Sequence, residues 1–276
     1  TLYQQLKDNF KKEYFNVEIL LQALFDYQGD RIAGGNNGFS VPNARFRIRG
    51  NLDKGFRYDF QVNMISQRSL IDASVSYKYS DALTIDAGLY KSPFSFEFLV
   101  AEPELDFVNR ATVVNILGTG RQVGLKARGN LAGKLLRYHG GVFNGRAVGA
   151  DPADKFPLFI LRLESNPSLN IGNSKGDLTI GGNIAYNKAQ NANYINSMLS
   201  NFNGNRLLFG GDFRLNIDKF LLAGEYIRGE YKPETGVKTV AQGFHLTGGY
   251  YIFENTQLLL RLDNFKPTEN AKAQNL

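Results

Sequence analysis

Cysteine is absent from the 276-residue chain, which excludes a disulfide scaffold, a thiolate metal site and a cysteine nucleophile. Tryptophan is also absent, and the only histidines, His139 and His245, are too few for a histidine-rich metal centre. No apolar run approaches the roughly 18 residues that a membrane-spanning helix needs. Charged residues are 21% and hydrophobic residues 43%, so the chain is too apolar to be disordered. The motifs GxSxG and HExxH and a P-loop are all missing, so neither an enzyme nor a cofactor or metal site is expected. At Thr1 there is no basic segment followed by an apolar one, so a signal peptide is read as removed or absent.

What the chain does carry is glycine (29 residues), tyrosine (14), phenylalanine (21) and a net charge of +6. The positive balance directs attention to an anionic partner or permeant. Nucleic acid is not expected, because the basic residues alternate with apolar ones instead of clustering on a helix or between stacking platforms.

Residues 1–14 repeat Leu2, Leu6 and Phe10 with lysines between them, which predicts a short amphipathic N-terminal helix. From Phe15 the period changes to two. Phe15, Val17, Ile19, Leu21, Ala23, Phe25 and Tyr27 share one face, and Asn16, Glu18, Gln22, Asp26 and Gln28 lie on the other. The same alternation recurs in 44–52, 56–64, 71–79, 83–90, 122–128, 136–142 and 159–164, then near 177–187, 206–217, 219–229, 240–252 and 256–265. Long strands with one apolar and one polar face are the pattern of a transmembrane β-barrel.

The connections alternate too. Segments 29–40, 92–120, 145–156, 188–205 and 229–239 read as long loops, and most others as tight turns, which is the barrel arrangement. Two connections break the rule: the one near Ser66 to Ser69 is short, and the turn at 165–176 is long. About thirteen strands are countable, whereas single-chain bacterial barrels use even numbers. The polar ending KPTENAKAQNL adds no further strand, so the closing strands are expected to lie outside this sequence. The domain reading is thus a periplasmic helix over 1–14 and a barrel over 15–276, with 92–120 folded inward as a constriction or capping the outside. The content of Phe94, Phe96, Phe98, Leu99 and Phe107 favours the inward position.

The motifs DAGLYKSPFSFEFL (86–99), GRQVG (120–124) and YHGGVFNG (138–145), with RLDNFKP near the end, resemble the phosphate-selective porin O and P family of Gram-negative outer membranes. The resemblance spans nearly the whole chain. It implies a sixteen-stranded barrel, a homotrimer, contact with membrane lipid and lipopolysaccharide, and an anion channel constricted by its third loop. It also implies small anions such as phosphate as permeants. No individual phosphate ligand is carried over.

Arg45, Arg47 and Arg49 occupy alternate positions of one strand and therefore share a face, about 6.6–7 Å apart. Guanidinium groups stay charged and take oxyanions bidentately. Arg110, Arg121, Lys126, Arg128 and Arg162 complete the candidate anion pathway. The competing reading is structural pairing, because Asp59, Asp72, Asp86, Glu164, Asp212, Glu225 and Asp263 also fall on polar faces. Function reads as an outer-membrane porin for passive diffusion with anion preference. The alternatives are an oxyanion-specific channel and a blocked barrel that serves as an assembly partner.

Overall fold

Every segment of period-two alternation forms a strand. The structure, a computed structural model, describes residues 14–26, 38–66, 69–146, 156–171, 174–268 and 274–275. The predicted N-terminal helix therefore lies outside the described residues, apart from Tyr14, and so does most of the 29–40 connection.

The chain divides into two units, Thr1–Lys78 with Asp86–Tyr90, and Tyr79–Ile85 with Lys91–Leu276. In the first unit β1 (Asn16–Asp26), β2 (Gly38–Asn51), β3 (Phe56–Asn63), β4 (Leu70–Lys78) and most of β5 (Thr84–Lys91) pair in chain order. The β1–β4 pairings are antiparallel. Gly88, at φ 125°, lets β5 approach β4, since a Cβ there would sit 2.2 Å from the Ala73 carbonyl oxygen.

The second unit contains β6 (Arg121–Leu131), β7 (Leu136–Phe143), β8 (Phe156–Ser165), β9 (Ser168–Ile171), β10 (Ser174–Tyr194), β11 (Leu199–Ile217), β12 (Phe220–Pro233), β13 (Thr239–Phe253), β14 (Thr256–Lys266) and β15 (Gln274–Asn275). Its order is β6-β7-β8-β10-β11-β12-β13-β14-β15, with β9 paired only to β10. Apart from β9 and the two-residue β15, the long strands match the thirteen segments read from the sequence.

Two connections differ from expectation. The supposed loop 188–205 is mostly paired backbone: β10 runs for 21 residues and β11 for 19, and they turn over Ile195–Met198. The 229–239 connection likewise shortens, because β12 continues to Pro233. Both stretches lack regular apolar alternation in the sequence, yet their backbone groups pair, and Ala189, Ala192, Phe202 and Tyr231 are buried where the rings of Tyr194, Phe202 and Tyr231 meet. A spanning strand needs only about 9–11 residues, so these hairpins extend beyond a bilayer's thickness. The long 165–176 turn is itself a small hairpin of β9 on the start of β10.

The two faces of the strands are unequal. Ile19 is 75% exposed and Leu260 73%, and Phe60, Ile85, Leu125, Phe159, Leu161, Ile184, Leu222 and Phe244 are exposed on the same apolar parity. The opposite parity buries Arg162, Asn183, Asp212, Glu225, His245 and Asp263. In water this would place the apolar surface outward and the polar groups inward at large cost. In a bilayer both faces are correctly placed.

Candidate functional site

The segment between β5 and β6 lies on the polar face of β11–β14. Its neck is closed where Ser92 N donates to Gly120 O at 3.2 Å and the Ser92 and Thr119 hydroxyls meet at 2.5 Å. Beyond the neck, Pro93 precedes a one-turn helix, α1 (Phe96–Leu99), and a second short helix, α2 (Thr112–Leu117), precedes β6. Phe94, Ala111, Val113, Val114 and Leu117 are fully or almost fully buried. Val113 sits against Gly243 of β13, where a Cβ would lie 3.0 Å from it.

Sheet carboxylates receive the start of each helix. Glu225 of β12 accepts from Ser95 Oγ at 3.0 Å, Phe96 N at 3.2 Å and Glu97 N at 3.2 Å. Asp263 of β14 accepts from Thr112 N at 2.7 Å and Thr112 Oγ1 at 3.0 Å. Both use the free N–H groups and positive end of a helix N-terminus. Ser95 is held at φ 72°, a conformation a non-glycine residue rarely adopts, and its Oγ also accepts from Phe98 N.

Sheet cations hold the rest. Arg214 of β11 makes a bidentate pair with Asp106 at 2.6 and 3.0 Å. Arg261 of β14 donates to Asn109 O at 2.8 Å and stacks 4.6 Å from the Phe107 ring centroid. Arg162 of β8 reaches Asp212 at 2.5 and 2.8 Å and Glu164 at 3.2 Å, 5.9 Å from the Phe96 ring. The reach is possible because residue 181, paired with both Glu164 and Asp212, is glycine. A Cβ at Gly181 would lie 2.5 Å from Arg162 Nη2 and from Asp212 Oδ1.

The sequence-predicted pathway residues divide into groups. Arg47 pairs with Asp59 and also with Glu18 at 3.5 Å, and Arg49 pairs with Glu18. Arg45 donates to Asn43 at 2.9 Å. The ladder thus shares its face with carboxylates. Arg162 is 0% exposed, with its guanidinium on Asp212 and Glu164. Arg110 ties the loop to itself, donating to Glu97 O at 3.2 Å and Val100 O at 3.1 Å and pairing with Glu102. Arg121 opens β6 on the parity of Val123 and Leu125, so strand alternation separates it from Gln122, Lys126 and Arg128. Lys126 and Arg128 stay half-buried on the polar face, and Arg128 lies opposite His139 while Arg137 adjoins at Asn130.

Sequence reasoning placed Glu225 and Asp263 on polar faces but did not find the task they share with Arg214 and Arg261. Their signal is register: Asp212 faces Glu225, Glu225 faces His245, and His245 faces Asp263 across adjacent strands. That row is invisible until the strands are aligned. Among the described residues no group of three or more acidic or histidine side chains is arranged to hold a metal ion.

An antiparallel sheet with an outward apolar face, whose polar face seats a long helical loop, defines a porin-type membrane protein. Residues 15–275 match the family described as phosphate-selective porin O and P, and the chain belongs to that family. It is an outer-membrane porin. No curated protein sequence matches it. Similar solved structures include OmpT of Vibrio cholerae in its trimer form, with TM-score 0.58, 12% identity, and coverage of 95% of this chain and 81% of that one. An anion-selective porin from Comamonas acidovorans has TM-score 0.58 and 11% identity, with 91% and 79% covered. OprB of Pseudomonas putida has TM-score 0.55 and 10% identity, with 96% and 92% covered. At these identities the likeness is one of fold.

Proposed function

We propose that the chain forms a water-filled channel for passive diffusion of small solutes, with a preference for anions, and that segment 92–120 is its constriction. The observation that carries this reading is the loop's attachment. Carboxylates and guanidiniums of the polar sheet face, Glu225, Asp263, Arg214 and Arg261, hold it there by hydrogen bonds and ion pairs. On this reading the polar face lines the lumen of a sixteen-stranded barrel, to which 15–276 contributes the long strands, and 1–14 is a periplasmic helix. The assembly is a homotrimer in contact with lipid and lipopolysaccharide.

Three features support anion preference: family membership, the net charge of +6, and the basic stripe of Lys126, Arg128 and Arg137 on the polar face of β6 and β7. The loop's own acids oppose it less than their number suggests, because Asp106, Glu97 and Glu102 each sit on an arginine. Arg45, Arg47 and Arg49 contribute what their acidic partners leave uncompensated. Phosphate is one anion that such a lumen admits. The reading is tested by reconstituting the purified protein in planar bilayers and measuring conductance and reversal potential in a potassium chloride gradient. Ohmic current with a chloride-directed reversal potential supports it. A silent membrane with correctly inserted protein contradicts it.

A further inference from the structure

His245 lies at the centre of the loop's seat. In register it faces Glu225 on one side and Asp263 on the other, the two carboxylates that receive the loop helices. Its Nε2 is 3.8 Å from Glu225 Oε2 and 3.9 Å from Glu97 Oε2, so one sheet carboxylate and one loop carboxylate flank the same nitrogen. These distances are beyond hydrogen bonding but within ion-pair range. The side chain is 7% exposed, and neither ring nitrogen has a hydrogen-bond partner; Asp263 Oδ1 has none either.

The surroundings are acidic. Glu97 faces the imidazole from the loop, Glu225 from β12, and Asp263 and Arg261 from β14. Asp212 of β11 stands beyond Glu225, and Arg162 and Glu164 of β8 stand beyond Asp212. Arg162 is committed to Asp212 and Glu164, and Arg261 is shared between Glu97 and Asn109. Carboxylates therefore outnumber guanidiniums around a buried ring with two unused nitrogens.

We infer that His245 is a positioning residue for segment 92–120: as an imidazolium it draws Glu97 of the loop and Glu225 of the sheet onto one charge, and on losing its proton it loosens the loop. The neutral ring leaves these carboxylates to repel each other in a poorly solvated seat and gives them no compensating charge. Burial holds the Glu97 carboxyl above its ordinary range, and its titration acts in the same direction. The inference rests on the proposed constriction, because its consequence for transport requires the loop to narrow the channel.

The test follows hydrogen exchange of the backbone amides in 92–120, corrected for the intrinsic pH dependence, and single-channel conductance, both from pH 5 to 8. The full-length protein is used with His245→Gln, His245→Lys and Glu97→Gln. In the native protein, loop protection should fall about tenfold or more and conductance should rise across this range. His245→Gln should sit near the loosened plateau and His245→Lys near the seated one, each keeping only the share of the step that Glu97 carries. A flat native profile overturns the proposal without reference to any variant. So does a step that survives at its native size in both histidine variants, or one that disappears only in Glu97→Gln. If protection behaves as expected while conductance stays flat, the positioning role of His245 stands and the constriction reading fails.

Discussion

Arg162 shows how position, and not residue type, decides what an arginine does. On the polar face of β8 it has the makings of an anion ligand, yet it is wholly buried with its guanidinium on Asp212 and Glu164. Removing one member of such a pair leaves the other charged and dry, which costs about 3–5 kcal/mol. Arg162→Gln should therefore lower stability by that amount in urea unfolding from lipid vesicles. A variant of native stability with a changed reversal potential would place Arg162 in the pathway instead. Glu97 carries a pH dependence of its own. Burial is the largest influence on its carboxyl and raises it, against lowering contributions from His245, the Ala111 N–H and Arg261. A carboxyl raised in the seated loop binds its proton more tightly there than in the released loop. Its contribution to seating is thus complete below the ordinary carboxylate pKa and is lost as pH rises through the raised value. Limited proteolysis of the loop should accelerate with pH in the native protein, and Glu97→Gln should remove that share of the acceleration.

Strands and loop differ in how far the sequence reveals them. Val17, Ile19 and Leu21, or Phe159, Leu161 and Leu163, display their face in the alternation itself, because lipid on one side and polar groups on the other impose period two. The hairpin around Ile195 to Met198 hides from the same test, since its apolar residues are spaced irregularly among asparagines and Tyr194, Phe202 and Tyr231 meet only once the strands pair. The loop's apolar content was legible in Phe94, Phe96 and Phe98, but its seat was not, because Glu225 and Asp263 reach it across 128 and 151 residues of chain. Arg121 adjoins the loop in sequence, and at the first position of β6 it falls on the parity of Val123 and Leu125. Two outcomes follow at this scale. Leu161→Arg, on the exposed apolar face of β8, should destabilise insertion by about 2–4 kcal/mol near the bilayer midplane, read from folding titrations in vesicles; an unchanged value would mean that this face does not meet lipid. Shortening the loop between Ala101 and Asn109, outside both helices, should raise single-channel conductance, and an intact barrel with unaltered conductance would place the constriction elsewhere.

At the scale of the molecule, each unit carries its own distribution of charge on its polar face. Arg45, Arg47 and Arg49 stand among Glu18, Asp59 and Asp72, so the first unit's ladder is close to balanced. The seat of the loop in the second unit is acidic at Asp212, Glu225 and Asp263, and the basic stripe of Lys126, Arg128 and Arg137 lies on β6 and β7. A unit charge at 4 Å is worth about 1 kcal/mol in water and about 4 at an effective dielectric of 20. Arg137 of this stripe shares its charge with Glu164 at 3.0 Å. A net excess of a few fixed cations along a lumen would suffice for tenfold selectivity, screened over about 10 Å at 0.1 M salt. The most direct measurement is the reversal potential of the reconstituted protein in a low-ionic-strength potassium chloride gradient, compared with Lys126→Gln/Arg128→Gln/Arg137→Gln. The native channel should reverse on the chloride side and the triple variant should move towards potassium. A native channel that reverses on the potassium side, or a triple variant indistinguishable from it, would contradict an anion-preferring porin that selects by the fixed charge of this face.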